Sequence, residues 1–214
     1  MKYYRLTDPF NLNEIIKETD DGKWFRYSYG VDKWAETGIM VRYEWPDDIF
    51  YNKYVVVSSE EAMRTISQNR NNLLTQLALA EKIAQEAHEG QLDKGGTPYI
   101  NHPVSVANSL QNLEHKIVAL LHDVCEDSSF TIDDLLKYGF SKRISHSVGI
   151  LTRDKETNYD DYLLGIKRDS NARPVKIADI KHNMDIGRIP NPTRADYARI
   201  EKYKKALAYL EVSD

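Results

Sequence analysis

His122 and Asp123 are adjacent in a largely apolar stretch, residues 119–127, and both have side chains that bind metals. Ionised groups enter apolar surroundings only when something neutralises them, and a divalent cation is the strongest neutraliser available. Neighbouring residues on a helix point about 100° apart, so both reach one ion only where other segments complete the shell. The pair therefore predicts a metal site within a helical core.

Two further ligands are expected from other segments. His102 precedes a proline, and Asp179 is a carboxylate inside a mostly apolar helical stretch. A set of two imidazoles and two carboxylates suits a borderline or hard ion such as Mn²⁺, Fe²⁺ or Zn²⁺, and leaves positions for water. A bound water with a lowered pKa, next to an ion that can hold a phosphoryl oxygen, predicts hydrolytic chemistry on a phosphorylated substrate.

Glu126 and Asp127 follow the pair by about one helical turn, so at least one of them is expected to face the ion. A carboxylate in that place is predicted to orient or deprotonate the catalytic water. The alternative is a pair of solvated acids at a helix end, because Ser128 and Ser129 follow directly.

Three residues outside this group are candidates for substrate contacts. Lys94 lies in a Gly-rich loop, where a flexible ammonium suits a phosphate. Arg153 follows a predicted helix and is a second candidate for a phosphate, with a solvated position as the alternative. Tyr159 is a candidate for stacking on a nucleobase, although its spacing from Tyr162 is also typical of a core pair. Lys176 has a surface position as its default interpretation.

Helices must position these residues, because apolar side chains recur at helical spacing throughout the second part of the sequence. A helix is expected to start at Ser58 or Ser59, and Thr131 and Thr193 are expected to cap later helices. The predicted helical ranges are 72–89, 103–110, 115–126, 132–138, 142–151, 159–167, 175–186 and 194–210.

The first part of the sequence has a different composition. Of the 22 aromatic residues, 13 lie in the first 54 positions. Ranges 23–29, 38–43 and 51–57 have strand-like patterns separated by turn signals, which predicts a small antiparallel sheet. Its aromatic rings are expected to form a core or an oligomer contact, and the chain is a candidate homo-oligomer.

Composition excludes several classes of protein. The chain has 214 residues, 41% of them hydrophobic, and a net charge of −4 without a basic stripe, so polymeric nucleic acid is not an expected partner. Neither a membrane-spanning apolar stretch nor a secretory signal is present in the sequence, and the single Cys125 cannot form an internal disulfide. We expect a cytoplasmic protein that does not bind a membrane.

Four motifs, at residues 88–91, 94–103, 120–127 and 175–184, resemble in order and spacing the hydrolase domain of the Rel/Spo alarmone enzymes, within the HD-domain phosphohydrolases. The resemblance covers roughly residues 72–187. It implies an all-helical HD domain and does not explain residues 1–60. Together with the change in composition, it leads us to predict a mainly α protein, with a small aromatic-rich α+β module at residues 1–62 and a helical HD domain at residues 63–214.

The resemblance also implies a chemistry. Its matched positions imply one Mn²⁺ held by His102, His122, Asp123 and Asp179. The pair Glu126 and Asp127 would serve the catalytic water, and Asn183 would help to hold the substrate. The implied reaction removes the 3′-pyrophosphate from ppGpp or pppGpp and gives GDP or GTP and pyrophosphate. Since the sequence ends at Asp214 without a synthetase segment, a stand-alone hydrolase is expected.

One position departs from the family pattern. Many members have Arg immediately before the lysine that matches Lys94, and here that position is Asp93, which would repel an anionic substrate if it pointed the same way. This departure keeps two alternatives open. One is an HD phosphohydrolase acting on another nucleotide, such as NADPH. The other is a non-catalytic protein that senses an alarmone or binds a partner.

Overall fold

The computed structural model describes residues 1–154 and 156–212. The chain divides into two compact units, Met1–Thr75 and Gln76–Asp214. The helix α2, Ser59–Ala87, runs through this division. The boundary predicted between residues 62 and 63 lies in the same helix and stays a prediction.

The first unit contains a five-stranded antiparallel sheet. The strands are β1 Lys2–Leu6, β2 Ile15–Glu18, β3 Trp24–Ser28, β4 Lys33–Glu36 and β5 Tyr54–Val57. Their order in the sheet is β4-β3-β2-β1-β5. The predicted strands at 23–29 and 51–57 are present in shortened form, as β3 and β5, and the other three strands were not predicted.

The predicted strand at 38–43 is wrong, because the chain forms the short helix α1, Met40–Glu44. Met40 and Tyr43 are fully buried at helical spacing, in one cluster with Tyr4, Leu6 and Ile16 of the sheet. The segment therefore buries its apolar residues with a period of three, which a strand cannot do. The rings in this cluster form a core, as the aromatic composition indicated.

The second unit is helical. The predicted helix at 72–89 is the second half of α2, and Ser58 accepts a hydrogen bond from the Glu61 N–H at its start, as expected of a cap. The later helices are α3 Asn101–Asn108, α4 Leu113–Leu121, α5 Val124–Asp127, α6 Ile132–Lys137, α7 Lys142–Leu151, α8 Tyr159–Arg168, α9 Ala172–Asn183 and α10 Arg194–Glu211. A 3-10 turn, Ile186–Arg188, follows α9.

The continuous helix predicted at 115–126 is wrong, since it is interrupted at the His122-Asp123 pair. Helix α4 ends at Leu121, and α5 begins at Val124. Asp123 has φ −99° and ψ −8°, which is outside the regular helical range. The break frees the two side chains from the fixed 100° offset of a helix and allows both to turn toward one point.

Helix α4 is the centre of this unit. Its last five residues, 117–121, are all apolar, which is typical of a helical segment enclosed on all sides. Ile117, Val118, Ala119 and Leu121 are completely buried. Helices α3, α7 and α9 pack around it. The segments that carry His102 and Asp179, on α3 and α9, are thereby brought against the His122-Asp123 break.

Helix caps fix where the peripheral helices begin. Thr131 and Thr193 form capping boxes with Asp134 and Asp196 at the starts of α6 and α10, which confirms both predicted caps. Within residues 1–154 and 156–212, the helices are too short or too polar for one of them to cross a membrane.

Replacing Ile117 with Ala should destabilise the helical unit by about 2–5 kcal/mol, because the side chain is fully buried and its removal leaves a cavity. The matched control is Leu136→Ala on α6, where 39% of the residue is exposed. That change should stay within about 0.5 kcal/mol of the parent. Urea unfolding followed by circular dichroism measures both, and equal midpoints for the two variants would contradict the central position of α4.

Candidate metal centre and its cavity

Four predicted ligands meet in one place. His102 Nε2 lies 3.2 Å from Asp179 Oδ1 and 3.6 Å from Asp123 Oδ2. His122 Nε2 lies 3.1 Å from Asp123 Oδ2 and 3.9 Å from Asp179 Oδ1. The two imidazoles and Asp179 are buried, and Asp123 is partly buried. Three separate segments of the second unit supply these groups.

The spacing of the four ligand atoms fits one divalent cation. Ligands bound at 2.0–2.2 Å around one ion lie about 3 to 3.5 Å from one another. The four measured distances between nitrogen and oxygen atoms span 3.1–3.9 Å, so small side-chain movements bring all four atoms into coordination range. Ligand atoms of His102, His122 and Asp179 all lie within 4.8 Å of one another.

His122 is oriented as a ligand. Its Nδ1 donates a hydrogen bond to the Ala119 carbonyl at 2.6 Å, so the neutral ring presents the Nε2 lone pair to the centre. Among the described residues, no group makes a well-aligned hydrogen bond to this buried Nε2. Burial opposes protonation, but Asp123 and Asp179 overcome it and raise the pKa of His122 to about 9. The position thus attracts a cation, either a proton or a metal ion.

Asp179 is held as a carboxylate by its neighbours. Lys176 Nζ lies 2.8 Å from Asp179 Oδ2, and the Asn183 amide donates to Oδ1. Burial would raise the pKa of Asp179, but Lys176, His102 and His122 keep it well below its usual range. The surface position expected for Lys176 is therefore wrong, because this lysine is partly buried and pairs with a proposed ligand.

Tyr99 holds the other carboxylate. Its hydroxyl donates a 2.7 Å hydrogen bond to Asp123 Oδ2. Burial and the charge of Asp123 raise the pKa of Tyr99 well above its usual range, so the phenol keeps its proton and remains a donor. Tyr99 is three residues before His102 in the loop that leads into α3.

His102 has an imidazole neighbour. Its Nδ1 lies 2.7 Å from Nδ1 of His182, and the same His182 atom lies 2.9 Å from Arg188 Nη1. Burial, followed by the charge of Arg188, lowers the pKa of His182 to about 4, so this ring is neutral.

A cavity of about 590 Å³ opens beside the four ligands, a size suited to a small-molecule ligand. Nine of the ten predicted site residues line it, and the tenth is the enclosed ligand His122. Six basic and six acidic side chains contribute to its described wall. Their charges balance, so a divalent cation at the ligand set would give the cavity the positive excess that an anionic substrate requires.

The two predicted catalytic acids lie on α5 at the cavity wall. Glu126 Oε2 accepts a 3.3 Å hydrogen bond from the backbone N–H of Arg153, which holds this carboxylate toward the cavity. Burial, followed by the charge of Asp123, raises the pKa of Asp127. The neighbourhood of Asp127 therefore favours its uptake of a proton.

Lys94 and Asp93 also line the cavity, and each is in an ion pair. Lys94 Nζ is 2.8 Å from Asp196 Oδ1, and Asp93 Oδ2 is 3.0 Å from Arg188 Nη2. Asp93 Oδ1 also accepts from the N–H groups of Gly95 and Thr97, and these bonds lower its pKa. Because its charge is neutralised locally, Asp93 does not present a free anion to the cavity.

Tyr159 lies on α8 between two cations. The Arg153 guanidinium is 5.3 Å and the Lys202 ammonium 4.2 Å from its ring centre. Tyr162 is buried and donates a 2.8 Å hydrogen bond to the Leu151 carbonyl, so of the two tyrosines this one is a core residue. Arg153, Tyr159 and Lys202 together form a cationic aromatic group at the cavity wall.

Sequence reasoning missed several residues of this site. Tyr99 and His182 stand inside motifs that were recognised, and their nearness to ligands was an available signal. Lys176 precedes Asp179 by three positions, which places both on one helix face. Arg188 and Lys202 lie outside every recognised motif, and only the folded chain brings them to the cavity.

Comparison with known protein families gives one match, since residues 80–182 match the HD domain family. Over 117 residues the chain is 38% identical to the guanosine-3′,5′-bis(diphosphate) 3′-pyrophosphohydrolase of Haemophilus influenzae, covering 48% of this chain and 17% of the relative. It is 34% identical over 126 residues to the bifunctional (p)ppGpp synthase/hydrolase SpoT of Escherichia coli, covering 52% and 18%. A probable GTP pyrophosphokinase of Mycobacterium leprae is 34% identical over 151 residues, covering 62% and 18%.

The chain spans less than a fifth of the length of these curated relatives. Among solved structures, it resembles one described as a metazoan ortholog of SpoT that hydrolyzes ppGpp. The TM-score is 0.54 at 22% identity, and the likeness covers 63% of this chain and 84% of the other. This structural likeness supports the helical fold.

Mn²⁺ should raise the melting temperature of the protein, because an ion that binds only the folded site stabilises it by mass action, by about 2.7 kcal/mol at 100 times the Kd. Asp123→Asn should lose this response, since it removes a charged ligand. Asp133→Asn on α6, an exposed acid, is the matched control and should keep it. A thermal-shift titration measures all three proteins, and an undiminished shift in Asp123→Asn would contradict the site.

Proposed function

We propose that the chain is a metal-dependent hydrolase of (p)ppGpp, because residues 80–182 match the HD domain family and the chain is similar in sequence to (p)ppGpp 3′-pyrophosphohydrolases. The reaction adds water across the bond between the 3′-oxygen and the pyrophosphate, giving GDP or GTP and pyrophosphate. The observation that carries the proposal is the meeting of four metal-ligand atoms within 3.1–3.9 Å beside two carboxylates in a nucleotide-sized cavity.

The proposed ligands are His102, His122, Asp123 and Asp179, and the proposed ion is Mn²⁺. A mixed set of nitrogen and oxygen ligands suits Mn²⁺, with Fe²⁺ and Zn²⁺ as alternatives. When bound, such an ion supplies a water of lowered pKa and a Lewis acid for phosphoryl oxygens.

The chain supplies the proton acceptor. Asp127 has a raised pKa in a partly buried position, which suits a group that takes a proton from the attacking water. Glu126, fixed by the Arg153 N–H, orients the water or the substrate from the neighbouring position. Asn183 acts through Asp179, because its amide holds that carboxylate.

The cavity wall supplies the substrate contacts. Arg153 and Lys202 flank Tyr159, so phosphate groups and a nucleobase have adjacent partners there. Lys94 is the third cation, and it must exchange its pairing with Asp196 for a phosphate when substrate enters. Asp93 raised the alternative of a different nucleotide, but its pairing with Arg188 removes the repulsion on which that alternative rested.

The complete set of ligands and acids favours catalysis over the non-catalytic alternative. Incubation with Mn²⁺ and ppGpp should release pyrophosphate, and Asp123→Ala should not, as measured by product chromatography. A panel with pppGpp and NADPH tests selectivity. Cleavage of NADPH alone would contradict the alarmone assignment but keep the metal site, and no turnover with Mn²⁺ bound would contradict catalysis.

Asp127→Asn should lower kcat by about 10²- to 10⁴-fold, because an amide cannot accept the proton. Its melting-temperature response to Mn²⁺ should remain, since Asp127 is not among the proposed ligands. Asp154→Asn, an exposed acid just after Arg153, is the matched control and should keep its activity. Steady-state kinetics beside the thermal shift separates the two roles, and an Asp127→Asn variant with normal kcat would assign the proton to another group.

A further inference from the structure

We infer that Asp93, Arg188 and His182 form a hydrogen-bonded chain that fixes the ring of His102 in the tautomer required of a metal ligand. The three are positioning residues, and the inference rests on the metal site of the proposed function. The chain runs from the loop at the cavity wall to the ligand set in three contacts: Asp93 Oδ2 to Arg188 Nη2 at 3.0 Å, Arg188 Nη1 to His182 Nδ1 at 2.9 Å, and His182 Nδ1 to His102 Nδ1 at 2.7 Å.

The guanidinium of Arg188 fixes the direction of each hydrogen bond, because it can only donate. Nδ1 of His182, which faces Arg188, must therefore be an unprotonated acceptor. The contact between the two imidazole Nδ1 atoms needs one proton, and it must therefore belong to His102. A neutral His102 with a proton on Nδ1 has its lone pair on Nε2, the atom that faces Asp123 and Asp179.

Two features support the first link of the chain. Asp93 is turned inward by the N–H groups of Gly95 and Thr97, which leaves its second oxygen for Arg188. The loop also lies directly against the backbone of Arg188, because a Cβ at Gly95 would be 2.5 Å from the Arg188 carbonyl oxygen. The loop and the 3-10 turn thus fit together only with a glycine at this position.

The hydrogen-bonded chain assigns a positioning role to Asp93. Asp93 directly precedes Lys94 and holds an arginine from the segment after α9. Arg188 lines the same cavity, and its Nη1 contacts Nδ1 of His182. A neutral second imidazole behind His102 plays the part that a carboxylate or a backbone carbonyl plays behind other metal-bound histidines.

Isothermal titration of the full chain with Mn²⁺ alone tests this inference. His182→Leu removes the acceptor, and Mn²⁺ affinity should fall about 10- to 100-fold, the usual effect of losing such a partner. His182→Asn should restore most of the affinity, because its Oδ1 occupies nearly the position of Nδ1 and accepts the same proton. His146→Leu, an exposed histidine on α7, is the matched control and should bind normally.

Asp93→Asn and Arg188→Gln test the contacts of Arg188 with Asp93 and His182, and both variants keep the imidazole ring of His182. Each should weaken Mn²⁺ binding, and Asp93→Asn combined with His182→Leu should be no weaker than His182→Leu alone, because both act through one chain. Unchanged Mn²⁺ affinity in these variants, or independent effects in the double variant, would overturn the inference. Neither result would contradict the metal site itself. Failure of the parent protein to bind Mn²⁺ would instead overturn the proposed function.

A second readout does not depend on metal. In the ¹⁵N NMR spectrum, the ring of His102 should show a protonated Nδ1, and the ring of His182 an unprotonated Nδ1. In His182→Leu the preference of His102 for a proton on Nδ1 should be lost. An unprotonated Nδ1 of His102 in the parent would overturn the inference, whatever the affinities.

Discussion

Two carboxylates and two imidazoles face one another in a helical unit whose core is mainly apolar, and this concentration of charge constrains the surrounding structure. Asp179 carries negative charge in a place where burial disfavours it. Lys176 and the protonation tendency of His122 offset part of that charge. A divalent cation would offset the rest. The buried charges that are unfavourable without an ion therefore favour the binding of one.

The arrangement of helices follows from this constraint. The chain breaks between α4 and α5 at the His122-Asp123 pair, where both side chains reach the ligand set. Helix α9 then supplies one ligand together with its supports. Lys176, His182 and Asn183 lie three or four positions from Asp179, so one face of α9 holds the carboxylate, balances it and orients the opposite histidine.

Much of the site could be predicted from sequence because the ligands lie within short motifs of fixed spacing. The helix break was not predictable from apolar periodicity, because the helical pattern continues through residues 115–126 without an interruption. The segment at 38–43 was assigned to a strand because a short apolar run fits the periodicity of a strand and that of a helix. In the structure it packs against the sheet as a helix. The pairing of Asp93 with Arg188 joins positions 95 residues apart, and no local pattern carries that information.

The central claim is that four side chains from three segments hold one divalent cation. Anomalous diffraction from crystals grown with Mn²⁺, collected on both sides of the manganese edge, tests it most directly. The account predicts one strong peak per chain, within about 2.3 Å of Nε2 of both His102 and His122 and of one carboxylate oxygen each of Asp123 and Asp179. A peak elsewhere in the cavity, or none beside ordered ligands, would contradict it.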